Sequence, residues 1–112
     1  MIPSRQRKIG MKYFFVQGEY SIPFTELTKL SDLVAEHRAY VQQAYDDGHY
    51  LLSGPEVPAD TGVVIARAPS RTLLNELMER EPFVRDGKVR ISRVVEFVPA
   101  RHRPQIEDWV VG

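Results

Sequence analysis

Between Lys12 and Gln17 the chain carries Tyr13, Phe14, Phe15 and Val16 without a polar interruption, and Gly18 closes the run. Aromatic and β-branched side chains in one short block favour pleated, buried backbone, so a strand is predicted here with apolar groups on both of its faces. Beyond a loop containing Pro23, the residues Leu27, Leu30, Val34, His37, Val41 and Ala44 recur at alternating spacings of three and four. That period aligns their side chains on one stripe of a long helix, with Thr25 or Ser31 as candidate N-caps and Gly48 as the C-terminal stop. His49 to Gly54 reads as a second strand ended by Gly54-Pro55, and Val63 to Ala66 as a third, with the turn residues Pro58, Asp60 and Gly62 making a hairpin of the two. Ser70 is placed to cap a second helix whose Leu73, Leu74, Leu77 and Met78 share one face. Pro82 stops that helix because proline cannot continue the hydrogen-bond ladder, and Asp86-Gly87 turns the chain into a last strand, Val89 to Val98.

The order βαββαβ is the split-βαβ, ferredoxin-like arrangement of the α+β class, an antiparallel four-stranded sheet with both helices on one face. Two helices cover only one side of such a sheet. Yet Tyr13 to Val16, Leu51 and Leu52, and Val63 to Ile65 put apolar groups on both sides, where a wetted face would alternate with polar residues. The expected cover is the same face of a second copy across a two-fold axis, giving a sheet-on-sheet homodimer or closed α/β barrel. The rival cover is the tail from Pro99 to Gly112, in which Trp109, Val110 and Val111 can fold back or reach a partner.

At 112 residues and 43% hydrophobic content the chain closes one core, so one domain is expected over residues 11–98, followed by the tail over 99–112. Residues 1–10, ending Arg5-Gln6-Arg7-Lys8-Ile9-Gly10, are polar and basic and read as a flexible leader. Fifteen basic residues balance fifteen acidic ones, so there is no net field to gather nucleic acid or an anionic membrane. An RNA-binding sheet would need aromatics on both central strands, and Gly62 to Ala68 offers none. No cysteine is present, which excludes disulfides, thiolate nucleophiles and cysteine-based metal sites, and the start lacks the apolar run of a secretory signal. The cytoplasm is the expected compartment. No apolar stretch approaches the ~20 residues needed to cross a bilayer.

Three features bear on chemistry. His37 sits in the middle of the helix stripe and therefore faces the sheet, either as a core histidine satisfied by one hydrogen bond or as a general acid or base in a cleft. Glu81, in Glu81-Pro82-Phe83 at the end of the second helix, is a surface charge unless the fold brings it to His37, where it would orient the ring. Arg93 shares parity in the last strand with Val89, Ile91, Val95 and Phe97, so strict alternation puts it on an apolar face, where it is an anion site if buried and unpaired; a bulge would return it to solvent, and a salt bridge across the dimer would pair it. His49 and His102 have no ligand spacing relative to His37, so no metal or other cofactor is expected.

The runs Glu36-His37-Arg38-Ala39-Tyr40, Gly48 to Pro55 (GHYLLSGP) and Glu81 to Gly87 (EPFVRDG), with the closing strand, resemble the YCII-related (YciI-like) proteins over nearly all of Met11 to Val98. The resemblance implies a dimeric α+β barrel, similar to muconolactone isomerases, with an active-site cleft holding a histidine and an aspartate. By it His37 takes the histidine's place and Glu81 the aspartate's, while Ser53, Gly54 and Pro55 line the cleft. Phe83 and Arg93 are further candidate substrate contacts, read from the residues themselves. The family's common arginine three residues before the histidine is Val34 here, and its aspartate is the longer Glu81, leaving Arg38 or Arg93 as candidate anchors for an anion. Two functions follow: a small cofactor-independent isomerase, lyase or hydrolase acting on a small organic acid or lactone, or a non-catalytic dimeric module that binds a small ligand or another protein.

Overall fold

The computed structural model describes residues 10–111, and the leader expected over residues 1–10 lies outside them except for Gly10. The elements run β1 (Lys12–Tyr20), α1 (Phe24–Leu27), α2 (Ser31–Asp46), β2 (Tyr50–Pro55), β3 (Thr61–Ala68), α3 (Arg71–Arg80), α4 (Pro82–Arg85), β4 (Val89–Phe97) and, after a 3₁₀ turn at Pro104–Ile106, α5 (Glu107–Val110). The four strands form one antiparallel sheet in the order β2-β3-β1-β4, the ferredoxin-like topology that the pattern predicts. No helix among the described residues is long and apolar enough to cross a membrane.

Two local expectations need correction. The stripe assigned to one helix comes from two, because α1 ends at the fully buried Leu27 and the chain re-enters helix only at Ser31. Neither Thr25 nor Ser31 caps α2: Thr25 lies inside α1, and the N-cap position is held by Leu30 without any side-chain hydrogen bond. The second correction concerns Gly18, which does not end β1. Pairing with both β3 and β4 carries the strand on to Tyr20, since neighbours on both sides satisfy the backbone that an isolated glycine would leave loose.

Other boundaries follow their local chemistry. Gly48 adopts φ +79°, and the bonds His49 N–H to Ala44 O (2.8 Å) and Gly48 N–H to Tyr45 O (2.9 Å) close α2 in a Schellman arrangement. Ser70 accepts a hydrogen bond from Leu73 N at 3.1 Å, capping α3 as the sequence predicts. Pro82 both ends α3 and opens α4, where its fixed φ and missing N–H suit a first-turn position.

The helix-facing side of the sheet holds the core, in which Phe14, Val16, Tyr50, Ala66 and Ala68 pack against Ala44 of α2 and Leu74 and Met78 of α3. A bulge shapes β4: Arg93 pairs with Gln17 and Ile91 with Gly18, so Ser92 is the extra residue. The extra residue breaks the alternation expected along this strand. Ile91 joins Val94 against the core, while Arg93 stands exposed on the far side of the sheet.

That far side is partly covered by the tail. Trp109 meets Tyr13 edge-on at 5.5 Å, Tyr13 donates to Val110 O at 2.6 Å, and the indole N–H donates to Gly48 O at 2.9 Å. Buried Arg67 ties these pieces together. Its Nε donates to Gly48 O at 2.6 Å, its Nη1 to Trp109 O, and its guanidinium lies over the indole 5.1 Å from the ring centre. Burial lowers the Arg67 pKa, yet an arginine starts high enough to stay charged. Beyond this clasp Phe15, Val63, Ile65 and Val95 are only half-buried, and Leu52 and Phe97 stay 58% and 37% exposed.

Gly48 is the joint of the clasp, and an added Cβ would meet both a left-handed backbone and Arg67 Nη2 at 2.6 Å. Gly48→Ala is therefore expected to destabilise the fold by about 1–3 kcal/mol. Urea unfolding will show this as a lower midpoint at unchanged slope, and an unmoved midpoint would contradict the role given to the glycine.

Candidate active site

The helix stripe stops short of the sheet. Val34, His37 and Val41 are half-buried because they face a cavity of about 330 Å³ enclosed by α1, α2, the start of α4 and the helix-facing side of the sheet. Small residues on the sheet make the room. Gly18, Gly54 and Gly62 all border the cavity, and at Gly18 a Cβ would lie 2.6 Å from Val89 Cγ1, so a larger residue there would push β4 aside. The bulge at Ser92 brings Val89 and Ile91 into the same wall, which Val16, Val64 and Leu27 make predominantly apolar.

His37 and Glu81 meet at this cavity from elements far apart in sequence. Glu81, only 7% exposed, sits between α3 and α4, where an extended backbone (φ −61°, ψ 126°) makes it the C-cap of one helix and the N-cap of the next. Its Oε2 accepts from Phe83 N at 3.1 Å and Val84 N at 3.2 Å, two amides that the short α4 leaves without helical partners. Its Oε1 binds His37 Nδ1. A carboxylate can only accept, so Nδ1 carries the proton and the lone pair of the neutral ring is confined to Nε2. Phe83 stacks on the imidazole with ring centres 3.8 Å apart and planes 6° from parallel, which fixes the ring's tilt.

The neighbours hold α2 against α3. Tyr40 Oη donates to Leu77 O at 2.6 Å, and Tyr45 shares a 2.6 Å hydroxyl contact with Ser53 of β2. Tyr50 rises from the sheet into the cavity wall, and its Oη reaches only Met78 Sδ at 3.9 Å. Burial first, and then the nearby charge of Glu81, pushes the Tyr50 pKa far up, while burial raises that of Tyr40 more modestly.

Of the residues singled out from sequence, His37, Glu81, Ser53, Gly54, Pro55 and Phe83 all border this one cavity. Arg93 does not: it is exposed on the other side of the sheet, away from the cavity. Arg38 borders the cavity instead, at its exposed rim. Sequence reasoning passed over Tyr50, which its strand assignment made one more β-forming aromatic. The only available sign was an aromatic with a polar tip beside the wholly apolar Leu51 and Leu52. Among the described residues no group of three or more metal-ligating side chains converges.

Comparison with known proteins bears on the fold and the family. The structure is similar to that of 5-chloro-2-hydroxyhydroquinone dehydrochlorinase (TftG) from Burkholderia phenoliruptrix AC1100, solved in complex with 2,5-dihydroxybenzoquinone. The TM-score is 0.53 at 17% sequence identity, over 80% of this chain and 93% of that one. No curated protein sequence matches the chain. The YCII-related domain matches residues 13–98, a span that takes in all four strands, both long helices and the His37–Glu81 pair, and the chain therefore belongs to the YCII-related family.

Proposed function

We propose that this chain is a small, cofactor-independent acid/base enzyme in which His37 Nε2 moves a proton on a small organic acid, lactone or related ring compound. The carrying observation is the division of labour on Glu81, whose one oxygen caps α4 while the other holds Nδ1–H. This leaves Nε2 as the ring nitrogen available to a ligand, and no described residue hydrogen-bonds it. When Nε2 takes a proton, the positive charge that forms on the ring faces a carboxylate already in place, which lowers the barrier without reorganisation. The cavity of about 330 Å³ sits at the small end of ligand sites, which span roughly 300–1,000 Å³, and suits a single ring. The dehydrochlorinase TftG, bound to a dihydroxybenzoquinone on the same fold, makes substituted hydroquinones and quinones a sensible part of a substrate search.

The second copy is part of this proposal. Leu52 and Phe97 lie exposed beside Phe15, Ile65 and Val95 on the sheet face that the tail leaves open, a surface suited to the same face of another copy. Sedimentation is expected to give twice the 12.9 kDa chain mass, and Leu52→Glu to shift the equilibrium toward monomer. A wild-type chain that sediments as a monomer at micromolar concentration would end the dimer proposal.

Glu81→Gln provides the sharpest test of the proton path. The two amides at the start of α4 need an acceptor, so the new amide turns its oxygen to them and its NH₂ toward His37. His37 must then accept at Nδ1 and carry its proton on Nε2, losing the base. Nitrogen-15 shifts of the ring are expected to exchange between the two positions in this variant. An unchanged tautomer would refute the assigned geometry.

In a turnover screen of lactones and substituted hydroquinones, His37→Ala is expected to lower kcat/KM by ~10²–10⁴ with the fold intact. Full activity in His37→Ala, or its failure to fold, would favour the structural reading of the histidine.

A further inference from the structure

We infer that Tyr50 donates a hydrogen bond to an oxygen of the bound ligand, so that the substrate is a small carbonyl compound whose oxygen lies on the α3 side of the cavity. The inference rests on the proton-transfer reading of His37 and names the substrate class for the same site.

Tyr50 is 6% exposed and borders the cavity, yet the acceptor of its Oη is a thioether sulfur at 3.9 Å, among the weakest that a protein offers. Other tyrosines of this chain do better: Tyr13 and Tyr40 donate to carbonyls at 2.6 Å, and Tyr45 shares a 2.6 Å contact with Ser53. A buried donor is expected to have a full partner, and here the protein withholds one. Glu81 does not fill the gap: its hydrogen bonds go to His37 and the α4 amides, and the Tyr50 hydroxyl is directed to the sulfur instead. The open side of Tyr50 is the cavity.

The chemistry matches this placement. Burial and the charge of Glu81 both oppose ionisation of the phenol, so Tyr50 is a neutral donor at any ordinary pH. If His37 Nε2 takes a proton from carbon beside a carbonyl, the C–H electron pair moves into the carbon–carbon bond and the carbonyl pair moves onto oxygen. The proton resides on Nε2 and the negative charge on the enolate oxygen, where a fixed O–H donor stabilises it most. Where the enolate is conjugated to a further double bond, returning the proton to the γ-carbon completes an isomerisation. Where the β-carbon bears a leaving group, its departure with the bonding pair, followed by release of the Nε2 proton to it, completes an elimination. The apolar wall of Val16, Val64 and Ile91 strengthens the hydrogen bond by excluding water.

The test uses the full chain, NMR titration and two ring compounds of similar size. One is 2,5-dihydroxybenzoquinone, rich in oxygen acceptors, and the other p-xylene, which has none. Tyr50→Phe keeps the ring and gives up only the sulfur contact, so its urea midpoint is expected to match the wild type. Its affinity for the quinone is expected to fall about tenfold while its affinity for p-xylene stays the same. Equal loss for both probes, or no loss for the quinone, would overturn the inference. If the wild-type His37 resonances respond to neither probe, the cavity reading fails and takes this inference with it. If they respond but Tyr50→Phe changes nothing, the role of Tyr50 alone is wrong.

Discussion

Glu81 carries two obligations at once, and the cavity end of the molecule is organised around them. Burying a carboxylate costs several kcal/mol unless its lone pairs are used. Here one oxygen accepts the two amides that begin α4, and the other accepts Nδ1–H of His37, so the desolvation of the acid is offset by charge-assisted bonds from two elements. The same bonds decide where α4 starts, how Phe83 lies against the imidazole and which ring nitrogen faces the cavity. Because Pro82 supplies no amide to compete, the carboxylate reaches forward to Phe83 and Val84 without an alternative partner at the first helical position.

The cavity exists because several ordinary features coincide. A helix stripe that would normally pack flush on a sheet meets glycines at Gly18, Gly54 and Gly62, and the gap is walled by Val89 and Ile91, which a bulge in β4 turns inward. Without the bulge the alternation of β4 would carry those two side chains to the opposite face. The dimension left is that of a single ring, and its lining is mostly apolar apart from the imidazole, the carboxylate, a few hydroxyls and Arg38 at the rim. Such a pocket gives each polar group an interaction strength that water would otherwise dilute.

The opposite face of the sheet has cover over only part of its area. At the Tyr13 end the chain supplies its own, with Arg67 bridging Gly48 and Trp109 so that the tail is held by hydrogen bonds as well as by ring contact. Phe15, Ile65 and Val95 along the middle of this face stay half-buried, and Leu52 and Phe97 on its two outer strands stay exposed. The tail, framed from sequence as the rival of a second copy, takes only part of this surface and leaves the rest to the proposed partner.

Local chemistry written in the residues was enough for the element order, the Gly48 and Ser70 caps, the Pro82 stop and hence the α+β topology, because each of these depends on neighbours a few positions away. The family likeness rested on short runs and placed His37, Glu81, Ser53, Gly54, Pro55 and Phe83 together, as the cavity does. What only the tertiary structure decided were matters of long-range pairing. The break between α1 and α2 follows from burying Leu27, and the reach of β1 past Gly18 follows from partners on both sides. The bulge that separates Arg93 from Ile91 is set by the register of β1 against β4, which no count along one strand reveals. Tyr50 became visible as a candidate for the same reason: a weak partner for its hydroxyl is a property of what surrounds it in space, and sequence spacing carries no record of that.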